Sequence, residues 1–548
     1  MTEKDKSMSD AAAQHEKRQM GRAGLILSTA TLFSRILGLV RNQILSHFFG
    51  AGIAADAFIA AFTIPNALRR LFGEGALTPA FVSLFTREIQ NPKHPESWKS
   101  FLSASFFWLI SLTSLLSLLG ILFSAWLVNL YVPEFRDLPE KYELTITLTQ
   151  ILWPFLIFIS LAALLMGVLN SFNQFAAPAL GPAVMNLTVI LLAPLLFYLD
   201  LGGEDGEYQI HIFALVTVLS SITQILIQWP ALRRLGAFPL VRFDLWDPRV
   251  KELFLLLAPS VFGMAVYQLN IIINRVFASG IPGAVSHLYY ADLLIELPVS
   301  LIATSIGVAA VPSFTRLYLS GDRKALGEGF RFSMCLNLGL AIPSTLGLLA
   351  LSQALVSSLY YSGEFLWSDV LSSQQCLILY AIGLPFFCGL RGVLPLFFAA
   401  RDTRTPAIAG LLALGVNFIC ASQLAPRMGA GGIALATSIS SFANFVVLLM
   451  ICIYRFPEFR WGQVLRESLK ILMASFLMGA LLFLPNNLWL DSIWALPGIR
   501  LEKISTLLAL VFLGGALYFI FARLFKLREI ETLSQQLLSR WRRRQNRH

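Results

Sequence analysis

Apolar runs of about twenty residues recur along nearly the whole chain, separated by short polar segments, which is the spacing of helices that cross a bilayer. The pattern predicts about fourteen spans. They lie near 24–47, 54–72, 100–130, 144–170, 178–199, 210–232, 252–278, 285–312, 331–358, 374–399, 406–425, 430–454, 467–485 and 504–525. A membrane β-barrel would instead show short segments of alternating polarity, and the chain has none of that character. The expected fold class is an all-α polytopic membrane protein. Prolines 65, 154, 182, 298, 343 and 385 fall within spans, where bending is tolerated.

The polar segments alternate in charge. Basic residues gather before the first span and after every second one, whereas FFGAGIAAD, LDLGGEDGEYQ and SGEFLWSD, on the opposite side, carry none. The other opposite loops hold Arg136, Lys141, Arg427, Arg500 and Lys503. By the positive-inside rule both termini are expected in the cytoplasm. Residues 1–22 are polar, so the first span is expected to stay as an uncleaved helix.

Three segments repeat in the same order. AFVSLFTRE at 80–88 echoes AVPSFTRL at 310–317, FFGAGI at 48–53 echoes VFASGI at 276–281, and GVLNSFNQFAAPA at 167–179 echoes GVLPLFFAARDTRTPA at 392–407. Two pseudo-symmetric six-helix lobes in parallel orientation are therefore expected, followed by two C-terminal helices. The boundaries are 1–23 N-terminal segment, 24–235 first lobe, 236–251 linker, 252–455 second lobe, 456–526 last helix pair and 527–548 basic tail. Such repeats build transporters whose substrate site lies between the halves.

Composition agrees with this class. Of 548 residues 56% are hydrophobic and 14% charged, where soluble chains have about 25% charged. The net charge of +10 resides in topogenic loops and the tail WRRRQNRH, which suits contact with anionic membrane lipids and not with nucleic acid. Five cysteines lie in mostly apolar segments without a CxxC or histidine-linked set, so neither disulfides nor a metal site is expected. HExxH, Walker and GxSxG motifs are missing, and no cofactor or catalytic residue is nominated. A transporter, not an enzyme, is expected.

Candidate chemistry concentrates in residues 33–75. Two apolar helices joined by a small-residue turn carry Arg35, Arg41, Asp56, Arg69, Arg70 and Glu74. Charges at membrane depth persist by facing a bundle interior or a watery cavity. Clustered guanidinium groups suit a phosphate-bearing ligand, although Arg69 and Arg70 read equally as anchors snorkelling to the interface. Asp56 is expected to pair with an arginine or to mark the far gate. Glu74 reads as a helix cap or a gate partner. In the second half Asp292 and Glu296 share a helical face, and Arg275 is a deep cation placed to pair with Asp292. Arg391 is a further membrane-depth cation, for ligand or for structure.

The blocks FSRxLGxxR at 33–41, FGAGxxADAF at 49–58 and PNxLRRLFGEGAxxxAFVxxF at 65–85 resemble the MurJ/MviN family. YYADLLIELP at 289–298, VPSFTRL at 311–317 and ARDTRTP at 400–406 add to the likeness, which covers about residues 24–525. The family comprises flippases for lipid II, the undecaprenyl-pyrophosphate-linked muropeptide, within the multidrug/oligosaccharidyl-lipid/polysaccharide exporter superfamily. The resemblance implies fourteen helices in two lobes plus a lipid-facing pair, a plasma-membrane location and alternating access. It also implies company with the cell wall synthesis or division machinery. The family's cationic positions carry over to Arg35, Arg41 and Arg69, which would hold the pyrophosphate and sugar, and its acidic position to Asp56. Asn42 stands where members often have Asp, which weakens a gate ion pair. Leu293 stands where YYADR members have Arg, and Arg275 is a candidate replacement. A sodium site, as some members have, would want carboxylates near Asn274, Asn417, Ala421 and Thr437, which are neutral here. The rival readings are a flippase for another lipid-linked oligosaccharide, a drug antiporter of the superfamily, and a membrane enzyme acting on polyprenyl phosphates.

Overall fold

The computed structural model describes residues 29–70, 77–94, 96–199, 206–237, 247–300, 304–488 and 490–527. Among them every regular element is a helix. They divide into two compact units, one of residues up to Leu45 with Ile53–Gln268, the other of Ser46–Gly52 with residues from Leu269 onward.

The first unit begins with α1, residues 29–49, whose last residues belong to the second unit. There follow α2 (Ile53–Arg69), α3 (Leu77–Ile89), α4 (Ser97–Leu122), α5 (Ser124–Tyr131), α6 (Pro139–Leu152), α7 (Phe155–Ser171), α8 (Ala176–Tyr198), α9 (Gly206–Leu226), α10 (Trp229–Leu235) and α11 (Pro248–Ser279). The division between units falls inside α11. The second unit continues with α12 (Ala284–Pro298), α13 (Thr304–Leu319), α14 (Arg323–Tyr360), α15 (Trp367–Ala399), α16 (Arg404–Met428), α17 (Ala430–Arg455), α18 (Trp461–Leu488), α19 (Asp491–Trp494) and α20 (Leu501–Leu524).

Among the described residues ten helical stretches, counting α6–α7 and α9–α10 as one each, are long and apolar enough to cross a membrane, and they coincide with ten of the fourteen expected spans. The other four expected spans fall on α1, α2, α11 and the pair α12–α13. These carry most of the singled-out charges, α2 has only 17 residues, and α12 stops at Pro298. The count of fourteen therefore rests on the sequence pattern. Proline acts unevenly: α2 runs through Pro65, while Trp153–Pro154 separates α6 from α7.

In lipid, helices gain little from hiding apolar surface from one another, so close packing and interhelical hydrogen bonds hold them. Unit 1 packs α3, α4 and α7 around Phe81, Phe85, Phe101, Leu164 and Val168, with Phe81 and Phe101 stacked at 5.6 Å. Gly120 admits the Trp153 indole, where an added Cβ would sit 1.9 Å from a ring atom. Unit 2 has one core around Phe314, Phe330, Leu396 and Cys452 and another around Ala350, Ile471, Met478 and Trp494. The second core seats α18 and α20 on α14, reinforced by Lys503 donating to Ser357 (2.9 Å) and Asn486 to the Ala350 carbonyl (3.0 Å). The α1–α2 turn is held within unit 2 at Gly50, where φ is +58° and any Cβ would meet the Glu364 carbonyl at 2.3 Å.

The sequence repeat reappears in the backbone. The α7–α8 turn places Asn173 at φ 58°, and the α15–α16 turn places Arg401 at φ 57°. In each the following amide closes onto the helix, Gln174 N to Leu169 O (2.8 Å) and Asp402 N to Phe397 O (2.9 Å).

Candidate functional site

On α1 a six-residue separation puts Arg35 and Arg41 about 240° and roughly 9 Å apart. Both are half-buried. Arg41 donates to the Asn42 amide oxygen at 3.3 Å, and Asn42 is buried. Arg35 makes no hydrogen bond or ion pair with any described residue. The basic residues in the last turn of α3 and the first turn of α11 behave differently. Arg249 is saturated by Asp247 (2.6 Å) and Glu88 (3.0 Å), and Arg87 grips Glu252 at 2.9 and 2.8 Å. Burial alone would raise the Asp247 carboxyl, but the hydrogen bonds and charge of Arg249 hold it below the ordinary carboxylate range. The arginine nearest the start of α1 thus stands apart from the topogenic ones.

Arg69 lies in the last turn of α2, where the carbonyl end of the helix dipole favours a cation, and its Nε donates to Asn66 at 2.9 Å. Arg70 follows it, half-buried. Glu74 lies outside the described residues. Asp56, in the first turn of α2, forms a buried ion pair with Lys141 of α6 at 2.7 Å. The ammonium also stands 4.0 Å above the Phe135 ring. Lys141 counted in the sequence only as an outer-loop cation; its separation of 85 positions from Asp56 gave no local signal. Asn186 of α8 was also missed: it is 6% exposed and donates from Nδ2 to the Ser34 carbonyl at 3.1 Å.

In unit 2 the Arg275 guanidinium donates to the Val285 carbonyl at 2.7 Å, bracing the start of α12. Asp292 and Glu296 are half-buried on one face of α12. Arg391, in α15, is exposed and makes no hydrogen bond or ion pair with any described residue. The positions where a sodium ion would want carboxylates instead bind one another. Asn417 donates to Asn274 (2.8 Å) and Asn274 to Thr437 (2.9 Å), while Ala421 is buried. This set carries no charge to offset a cation, and the buried Asn417 Oδ1 accepts no hydrogen bond among the described residues. Among the described residues no cluster of His, Cys, Asp and Glu is suited to a metal.

Comparison with known proteins gives one consistent answer. The family model described as lipid II flippase MurJ matches residues 45–497. The probable lipid II flippase MurJ of Rhizobium tropici is 32% identical over 90% of this chain and 92% of its own. The corresponding protein of Vibrio cholerae is 31% identical, over 91% and 95%. Among solved structures, a lipid II flippase MurJ in an inward closed conformation superposes with a TM-score of 0.73 at 26% identity, covering 91% of this chain and 98% of that one. An inward-facing multidrug resistance MATE transporter of the MOP superfamily reaches 0.63 at 15% identity, over 80% of this chain and 99% of its own, a likeness of fold alone.

Proposed function

The chain belongs to the lipid II flippase MurJ family, and from that membership we propose that it carries lipid II from the cytoplasmic to the outer leaflet of the bacterial plasma membrane. Alternating access is the mechanism, and cell wall synthesis consumes the product. The observation that carries the reading is Arg35: a half-buried guanidinium on a membrane helix without a counter-charge among the described residues. Such a group is stabilised by an anionic ligand, and a pyrophosphate offers paired oxygens to its fork of donors. Arg41 keeps its charge available, since the neutral Asn42 oxygen occupies it without cancelling it. Arg69 and Arg70, at the end of α2, add positive potential. In this reading the arginines hold the diphosphate and the lipid tail stays in the bilayer.

Arg391 is a second contact for the anionic head group, exposed and without an ion pair among the described residues. Arg275 braces α12 through Val285 and supplies the charge that Leu293 lacks. If Arg275→Ala supports full growth, that replacement role is excluded.

Lipid II delivered to the outer face is the substrate of the polymerising enzymes, which makes the wall synthesis or division machinery the expected neighbour. In-cell crosslinking from the outer loops tests this.

The central test is complementation of a bacterium whose own lipid II flippase is switched off, with a leaflet assay for lipid II. Rescue by the wild type, lost in Arg35→Ala and Arg41→Ala at equal protein level, supports both substrate and site. Good expression without rescue points to another lipid-linked glycan. Rescue that survives loss of both arginines removes the head-group assignment.

A further inference from the structure

Asn186 lies in the buried stripe of α8, with Ala183 and Val189, and only 6% of it is exposed. Its Nδ2 donates to the Ser34 carbonyl of α1 at 3.1 Å. One turn further along α1 is Gly38, where even an added Cβ would lie 3.5 Å from that nitrogen. The Oδ1 atom is buried and has no hydrogen-bond partner among the described residues. A carboxamide used on one side only is a poor stabiliser, because an apolar residue of the same shape does as well or better once the orphan oxygen is gone. The bond it does make falls on the residue preceding Arg35.

We infer that Asn186 is a positioning residue for the head-group arginine: by pinning the Ser34 carbonyl it fixes the rotation of α1 about its axis and hence where Arg35 points. The inference rests on the reading of Arg35 given above. The lever is short. Helix side chains reach about 5–6 Å from the axis, so a turn of about 20° moves a guanidinium by roughly 2 Å. Misplacement on that scale is enough to weaken a bidentate contact.

The test measures flipping of lipid II in proteoliposomes of the full-length protein, as KM and kcat, with thermal midpoints in parallel. Asn186→Leu is expected to keep the midpoint and kcat while raising KM about tenfold. In an Arg35→Ala background the same substitution should change nothing further, since its effect passes through Arg35. Asn186→Ala, which removes the donor without adding bulk or charge, should raise KM at least as much and serves where the leucine variant folds poorly. An unchanged KM in both variants overturns the inference, provided Arg35→Ala raises it. So do losses that multiply in the double variant, the behaviour of a residue that merely supports the fold. If Arg35→Ala itself leaves KM unchanged, the head-group reading fails and this inference goes with it.

Discussion

Asp56 and Lys141 face each other with side chains 1% and 4% exposed, so neither charge has water to fall back on. Removing one partner from such a pair typically costs about 3–5 kcal/mol, because the other is left buried and uncompensated. Replacing both by apolar residues of similar volume is often neutral. Lys141→Met should therefore lower the thermal midpoint in detergent sharply, and Asp56→Leu together with Lys141→Met should recover most of the loss. A double variant no better than the single one would mean that Asp56 serves something other than Lys141. A second carboxylate, Asp402, lies outside the spans in the α15–α16 turn. Burial alone would raise its pKa, but bonds from the Thr405 hydroxyl and amide and from Arg455 outweigh this and bring it down to about 2. An aspartate depressed from about 3.9 adds stability above about pH 4 and loses it as pH falls toward the folded value. The midpoint difference between wild type and Asp402→Asn should be constant near neutrality and shrink between about pH 4 and 2. A difference that persists at the acid end would assign the effect to shape and not to charge.

The two left-handed turns let an element be tested apart from its ligands. Asn173 accepts positive φ more readily than most residues, whereas Arg401, at φ 57°, is held there by the closing bonds of the turn. Arg401→Gly should raise stability by about 0.5–1 kcal/mol, and Arg401→Val should lower it by about 1–2. Equal melting of the two variants would show that the turn relaxes. These elements also show where the sequence could be read. Ten spans follow from apolar length alone, and α14 to α18 and α20 fall where periodicity puts them. α1 escapes the criterion because Arg35 and Arg41 break its apolar run, and α2 and α12 because they have only 17 and 15 residues. Polar interruption is the price of a site, so the same residues that advertise function blur the element that carries them. Partners were less legible than positions. Arg35 stands out by charge, but Asn186 is one of several asparagines in apolar runs, and only its proximity to Ser34, 152 positions away, marks it.

For the whole molecule, the alternating loop charge predicts that both termini lie in the cytoplasm. Cysteines placed in residues 1–22 and 530–548 should resist a membrane-impermeant thiol reagent in intact cells, and one placed at 362–369 should react. Labelling of either terminus would reverse the orientation. Energy supply is also a property of the whole transport cycle, and the neutral polar cluster of unit 2 bears on it. Asn274, Asn417 and Thr437 join α11, α16 and α17 through bonds of 2.8 and 2.9 Å. Their amide donors go to one another while the buried Asn417 Oδ1 accepts no bond among the described residues, and they hold no charge to offset a cation taken out of water. A sodium ion bound there would gain one unused amide oxygen and would have to break these bonds for further ligands, all of them neutral. Flipping of lipid II in proteoliposomes should therefore proceed at the same initial rate, within about twofold, when Na⁺ is replaced by K⁺ on both sides at constant membrane potential. Should the rate fall severalfold in K⁺ and return with Na⁺, the cluster must open to form a site, and Asn417→Leu should then abolish the dependence. If instead K⁺ supports full transport, the substrate's own charge moving in the membrane potential, about 2.3 kcal/mol per charge per 100 mV, is the energy source to test next by clamping the potential at zero.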